Sequence, residues 1–150
     1  MNLRMNASKA NPTAYQAMQR LDGTAKELIA DKVIYELIKI RASQINGCAF
    51  CVDMHTTDLR KMGESERRLN LIVVWRESPQ FTEKERAVLA LTEAVTLISE
   101  GGVPQSIYDE ARKHFDESEF VALLLAINAI NGWNRIAIAT GMYPDCFVAK

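Results

Sequence analysis

Apolar residues recur at helical spacing almost throughout this chain, and no segment shows the strict alternation of a half-buried strand. A chain patterned this way can bury its apolar stripes only by packing helix on helix. Local signals place the elements. One helix is expected over Thr24 to Gln44, with Val33, Ile34, Leu37 and Ile40 on its apolar face and Lys32 and Lys39 opposite. Asn46-Gly47 breaks it, and a second helix opens near Cys48 and ends before Gly63. Ser65 caps a third, stopped by Ser78-Pro79. Thr82 and Glu85 make a capping box for a fourth, which runs to about Ser99 and is closed by Gly101-Gly102. Pro104 suits the first turn of a fifth, to Phe115. Asp116 or Ser118 caps a long last helix that Gly141 ends near Thr140. Residues 1–12 read as an irregular arm. The expectation is a single-domain, all-α bundle of about six helices with short connections.

The chain's 150 residues suffice for one core, and its net charge of −1 comes with no basic run or acidic tail. Nucleic acid is therefore not an expected partner. The apolar runs fall short of the roughly 18 residues that span a bilayer, so no membrane is expected either. The first residues, MNLRMNASKANPTAYQ, lack the apolar centre of a secretory signal, which points to the cytoplasm. Three cysteines, two close and one distant, do not form a disulfide framework. In a reducing compartment a Cys-x-x-Cys is a metal site or a reactive pair.

The stretch INGCAFCVDMHTTDL holds that pair, with Cys48, Cys51 and His55 at offsets of three and four. On one helix all three share a face. Following Gly47, Cys48 is expected in the first turn, where unpaired N–H groups favour a thiolate. The helix dipole contributes about 0.3–1 kcal/mol, less than one pKa unit, so a fast nucleophile needs a base, and His55 is the local one. Closing a disulfide between i and i+3 on a regular helix would distort the first turn, because the Cβ atoms start about 5–6 Å apart. Two other readings stand beside the reactive dithiol. Cys48, Cys51 and His55 could bind zinc, with Cys146, His114 or a carboxylate as the fourth ligand. They could also be buried and inert.

Glu36 falls at the border of the apolar stripe, and spacing alone reads it as a solvated glutamate near Lys32 or Lys39. Arg41 and Gln44 project into the apolar face, as snorkelling side chains, as subunit contacts or as lining of a site. Cys146, in the tail YPDCFVAK, is expected to be packed or exposed without a catalytic role.

Taken together, Glu36, Cys48, Cys51 and His55 at this spacing resemble the motif of the alkylhydroperoxidase D (AhpD)-like family of the carboxymuconolactone decarboxylase superfamily. Three segments carry the resemblance: Ile34 to Leu69, Phe81 to Leu97 and Ile127 to Met142. It implies an AhpD-like fold and a homo-oligomer, trimer or hexamer, with cysteine pockets near subunit contacts. Arg41, Gln44, Asn128, Asn131, Asn134 and Arg135 would then have a role there, the alternative for the asparagines being bonds between helices of one subunit.

The resemblance also implies that Glu36 relays protons through His55 to the thiols. A carboxylate alone is about four pKa units too acidic to take a thiol proton, whereas one bonded to histidine orients the ring and stabilises its cation. The implied activity is that of a thiol-dependent peroxidase or disulfide reductase. Its substrate would be a hydroperoxide or a disulfide. Its reductant would be an external thiol or a lipoyl group, with a peroxiredoxin or a lipoyl-bearing protein as possible partner. No metal and no organic cofactor are expected. Cys51 would attack the peroxide, and Cys48, at the more exposed helix end, would exchange with the reductant. The family more often has a small polar residue or histidine where this chain has Phe50, which suggests a drier pocket and a bulky organic substrate. Two rivals remain: lactone decarboxylation, which needs no dithiol, and a redox-sensing or scaffold oligomer that oxidises without turnover.

Overall fold

The computed structural model describes residues 2–147, and among them every regular element is helical. There are nine α-helices: α1 (Ala7–Ala10), α2 (Pro12–Leu28), α3 (Lys32–Asn46), α4 (Ala49–Lys61), α5 (Glu66–Leu71), α6 (Glu83–Thr96), α7 (Ile98–Gly101), α8 (Gln105–Arg112) and α9 (Glu117–Thr140). A 3-10 segment, Ile72–Glu77, continues α5. The all-α expectation holds, and the count of about six helices does not.

The main difference lies at the N-terminal end. Two helices, α2 and α3, replace the single one expected over Thr24 to Gln44. Asn11 caps α2 by accepting the Ala14 N–H, and Pro12 occupies the first turn. The break falls at Ile29, Ala30 and Asp31. Asp31 accepts the N–H groups of Val33 and Ile34 to cap α3. The Lys32 ammonium bonds the carbonyls of Lys26 and Ile29 at the other side of the break. Periodicity hides this break because Ile29, Val33 and Ile34 keep helical spacing across it.

Elsewhere the capping signals act as read. Thr82 and Asp116 each complete a capping box, Ser65 caps α5, and Gly141 ends α9 in the left-handed region. The expected third helix tightens into the 3-10 segment at Ile72, and a one-turn α7 follows α6. The arm ahead of α2 carries the short α1 and folds back, with the Arg4 N–H bonded to the Thr140 carbonyl at 2.8 Å.

At the centre, α3 packs against α4, α6 and α9, while α2 runs along α9. Ile34, Ile38, Leu91, Leu123, Ile127 and Ile130 form the larger core, and Cys48 and Cys51 belong to it. Leu37, Ile40, Leu59, Ile72, Trp75 and Leu89 form a second. Each such large side chain contributes about 1.5–3 kcal/mol on burial.

Two polar expectations change. Lys39, read as solvent-facing, is completely buried because α2 covers that side of α3. Arg41 and Gln44 bond each other at 3.1 Å, and Arg41 reaches Glu93 at 2.8 Å, so both are satisfied within the subunit. Asn131 and Asn134 likewise bond Asn46, Thr96 and Ser43, tying α9 to α3 and α6. Asn128 and Arg135 are exposed. By length and composition α9 could cross a bilayer, with a mean hydropathy of 1.4 over its most apolar window, although its uninterrupted apolar runs are short. Half of that apolar window is buried inside the fold, the pattern of a core helix.

Candidate functional site: a buried dithiol beside a Glu–His pair

A one-residue turn positions the dithiol. Gly47 ends α3 with φ 70°, and the Cys48 N–H bonds back to the Ser43 carbonyl at 3.0 Å. Cys48 is then the N-cap of α4 with extended backbone, one residue outside the helical turn expected for it. This departure brings the Cys48 and Cys51 sulfurs to 2.6 Å without unwinding α4. The distortion expected for a pair on a continuous helix does not arise. Both thiols are free, and each residue is only 2% exposed, so Cys48 is not the more exposed partner.

Their proton affinities separate sharply. A proton shared between the two sulfurs holds the Cys48 thiol down to about 7, against the opposing effect of burial. The same shared proton, together with burial, pushes the Cys51 thiol up. The pair therefore loses its first proton readily and its second with difficulty. Asn134, fixed by Ser43 and Asn46, lowers both thiols through its side-chain amide.

Glu36 and His55 meet across the α3–α4 interface. His55 Nδ1 lies 2.7 Å from Glu36 Oε2, and the two residues are 6% and 4% exposed. Glu36 is thus neither solvated nor paired with Lys32 or Lys39. A carboxylate there assigns the proton to Nδ1 and leaves Nε2 free. The carboxylate of Asp58 stands nearby: one ligating atom each from Glu36, His55 and Asp58 lie within 4.8 Å of one another. These three, not the cysteines, are the described residues best placed to hold a cation. Neither His114 nor Cys146 lines the dithiol cavity: His114 lies 3.6 Å from Glu110, and Cys146 lines a separate open groove.

A cavity of about 370 Å³ opens beside the pair. Cys51 and His55 line it and Cys48 does not. Tyr15, Phe50, Met54, Trp133 and Met142 make its apolar wall. Phe50 also meets Phe147 edge to face at 6.2 Å, joining the wall to the C-terminal tail, of which Val148 to Lys150 lie outside the described residues. Asp22, Lys26 and Tyr35 add polar groups to the lining. Sequence reasoning missed Asp22 and Tyr35 because α2 was not recognised. Lys39, three residues after Glu36 and so on the same side of α3, was the available signal.

Residues 12–94 match the sequence profile of the carboxymuconolactone decarboxylase family. The chain is 44% identical over 141 residues to protein YdfG of Bacillus subtilis, of uncharacterised function, covering 94% of this chain and 96% of that one. A solved structure from Agrobacterium tumefaciens superposes with a TM-score of 0.92 at 46% identity, covering 95% of this chain and 99% of that one. It is described as a protein of unknown function and a candidate antioxidant defence protein AhpD. A peroxidase-related protein from Silicibacter shares the fold with a TM-score of 0.75 at 21% identity, covering 89% and 71% of the two chains.

Proposed function

Since this chain belongs to the carboxymuconolactone decarboxylase family and is AhpD-like, we propose that it is a thiol-dependent oxidoreductase that reduces organic hydroperoxides. The observation that carries this reading is the sulfur pair, 2.6 Å apart, with Cys51 and His55 together on the wall of an apolar cavity.

The thiols begin as a singly charged pair. Cys51 is the sulfur that a bound hydroperoxide can reach, so it attacks the terminal peroxide oxygen after its proton passes to His55 Nε2. The O–O bond breaks, Cys51 becomes a sulfenic acid, and the alkoxide leaves as an alcohol with a proton from His55. Glu36 holds the ring and stabilises its cation. The Cys48 thiolate then displaces hydroxide from the sulfenic sulfur to form the Cys48–Cys51 disulfide, and the hydroxide takes a proton from solvent to leave as water. Two electrons from an external dithiol, a lipoyl group among the candidates, restore the thiols. A disulfide or a peroxiredoxin is an alternative acceptor for the same dithiol. Reducing surroundings such as the cytoplasm suit the cycle, and a trimer or hexamer is the assembly the family suggests. The superfamily's lactone decarboxylation makes no use of the sulfur pair, so it is the weaker reading.

Reduced protein treated with one equivalent of cumene hydroperoxide should lose two thiols and about 2 Da per chain, the mass of the two hydrogens removed on disulfide formation. A Cys51→Ala variant should not. Turnover with a dithiol reductant separates an enzyme from a sensor that oxidises once. Unchanged thiols in the wild type would overturn the reading.

A further inference from the structure

We propose that the dithiol cavity takes apolar organic molecules that carry a carboxylate, with Lys26 as the residue that holds the carboxylate, so that its preferred hydroperoxides are acids. This deepens the dithiol reading above and rests on it.

The cavity's volume of about 370 Å³ falls at the small end of the range for ligand cavities, roughly 300–1,000 Å³. It suits one medium-sized organic molecule against the wall of Tyr15, Phe50, Met54, Trp133 and Met142. Three side chains that can carry charge line it: Asp22, Lys26 and His55. Two of these are engaged. The Asp22 carboxylate accepts the Tyr35 hydroxyl at 2.9 Å and the ammonium of Lys39, which is completely buried. His55 is bonded to Glu36 at 2.7 Å.

Lys26 differs from both. It is exposed, in the last turn of α2, and its ammonium has no ion pair or hydrogen bond among the described residues. Asp22, one turn earlier, is where an i,i+4 partner would be expected, but Lys39 and Tyr35 occupy it. Capping does not use Lys26 either, because the Lys32 ammonium takes the carbonyls of Lys26 and Ile29 at the end of α2. The Lys26 ammonium instead stands 6.0 Å from the centroid of the Tyr35 ring, which itself lines the cavity.

A free ammonium on the wall of an apolar cavity is complementary to an anion with an apolar body. One ammonium matches one negative charge, and the neighbouring carboxylates of Asp22 and Glu27 disfavour a dianion such as a phosphate ester. The charges also set the orientation. Lys26 is exposed and Cys51 is 2% exposed, so the ammonium lies toward solvent and the sulfur at depth. A carboxylate is drawn to Lys26 and repelled by the negative charge of the dithiol, which leaves the peroxide end of the molecule for Cys51.

The test needs no peroxide. Trp133 lines the cavity and reports occupancy by its fluorescence, while Trp75, in the second core, gives a constant background. Decanoate and decanol, with the same chain and different charge, are titrated into reduced full-length wild type, Lys26→Met, Lys26→Arg and Lys26→Glu. The quantity read is the Kd of decanol divided by that of decanoate. Exposed ion pairs are modest, and the apolar surroundings strengthen this one, so the ratio should fall about three- to tenfold in Lys26→Met. It should fall further in Lys26→Glu and stay near wild type in Lys26→Arg. High salt should bring the wild-type ratio toward that of Lys26→Met. In turnover, the kcat/KM ratio of linoleic acid hydroperoxide to its methyl ester should follow the same order, with the change in KM. A decanol-to-decanoate ratio that is the same in wild type, Lys26→Met and Lys26→Glu would overturn the proposal, as would a wild-type cavity that decanoate does not enter. Failure of the peroxidase reading would show separately, as a wild-type dithiol that hydroperoxide leaves reduced.

Discussion

His55 donates its Nδ1 proton to Glu36 Oε2 across 2.7 Å, between two helices and nearly out of contact with water. That bond fixes which ring nitrogen can act on the sulfurs. Glu36→Gln preserves the shape but removes the charge that stabilises the imidazolium. General acid–base assistance is worth about 10²–10⁴-fold, and the ring stays in place, so a loss of about 10²-fold is expected in the rate of disulfide formation with cumene hydroperoxide. Stopped-flow quenching with mass detection reads this directly. A Glu36→Gln variant as fast as wild type would remove the relay from the mechanism.

The pH dependence follows from the shared proton. With the Cys48 thiol held at about 7, below its usual value of 9.0, oxidation should accelerate from pH 6 to 8 and then level off. The same shift is a statement about stability. A thiol whose folded pKa is depressed contributes stability that is present above its unfolded pKa and lost as pH falls through the folded one. The reduced protein should therefore gain stability between about pH 7 and 9, on the order of 1 kcal/mol once coupling to the other thiol is allowed for. Above that range the raised Cys51 thiol works in the opposite direction. Urea midpoints at pH 6.5 and 8.5, with reductant and with the disulfide formed, check the sign, because the oxidised protein should lack the effect.

The parts of the fold that rest on neighbouring residues were legible in the sequence. The Thr82–Glu85 capping box, the Asp116 cap, Ser65 and Gly141 each act within a few positions of themselves. The α2–α3 break was not, because Asp31 ends one apolar stripe and starts another in the same phase. That one omission carried further. Without α2 nothing covers Lys39, and Asp22 has no helix to present it, so the polar part of the cavity lining was invisible. Glu36 was found through the resemblance of its spacing to a known motif, since its burial depends on α4 lying across α3. The Cys48 sulfur was placed too far from its partner because an extended N-cap residue and a first-turn residue look alike in sequence.

Two glycines separate backbone strain from crowding. Gly47 has φ 70° with open space where a Cβ would sit, so Gly47→Ala should cost about 1–2 kcal/mol from conformation alone. Gly141 has φ 75° as well, but its added Cβ would meet the Asn2 carbonyl oxygen at 3.0 Å and the Arg4 backbone nitrogen at 3.3 Å. Gly141→Ala should be the more damaging of the two and should release the N-terminal arm. Urea denaturation ranks the variants, and limited proteolysis near Arg4 detects the released arm. Equal losses would mean that the arm yields without cost.

Phe50 is the residue through which cavity shape should reach selectivity. It lines the cavity beside Cys51 and is braced edge to face by Phe147, while the Glu36–His55 bond lies on other side chains. Phe50→Ala removes an aromatic surface from the wall and leaves the acid–base groups in place. A bulky aromatic hydroperoxide should lose about 1–3 kcal/mol of transition-state binding, a fall of roughly 10–100-fold in kcat/KM. Hydrogen peroxide, which uses none of that wall, should be affected far less. The informative quantity is the ratio of the two kcat/KM values, since a general disturbance of the dithiol would lower both together. A ratio unchanged from wild type would show that Phe50 only packs the tail.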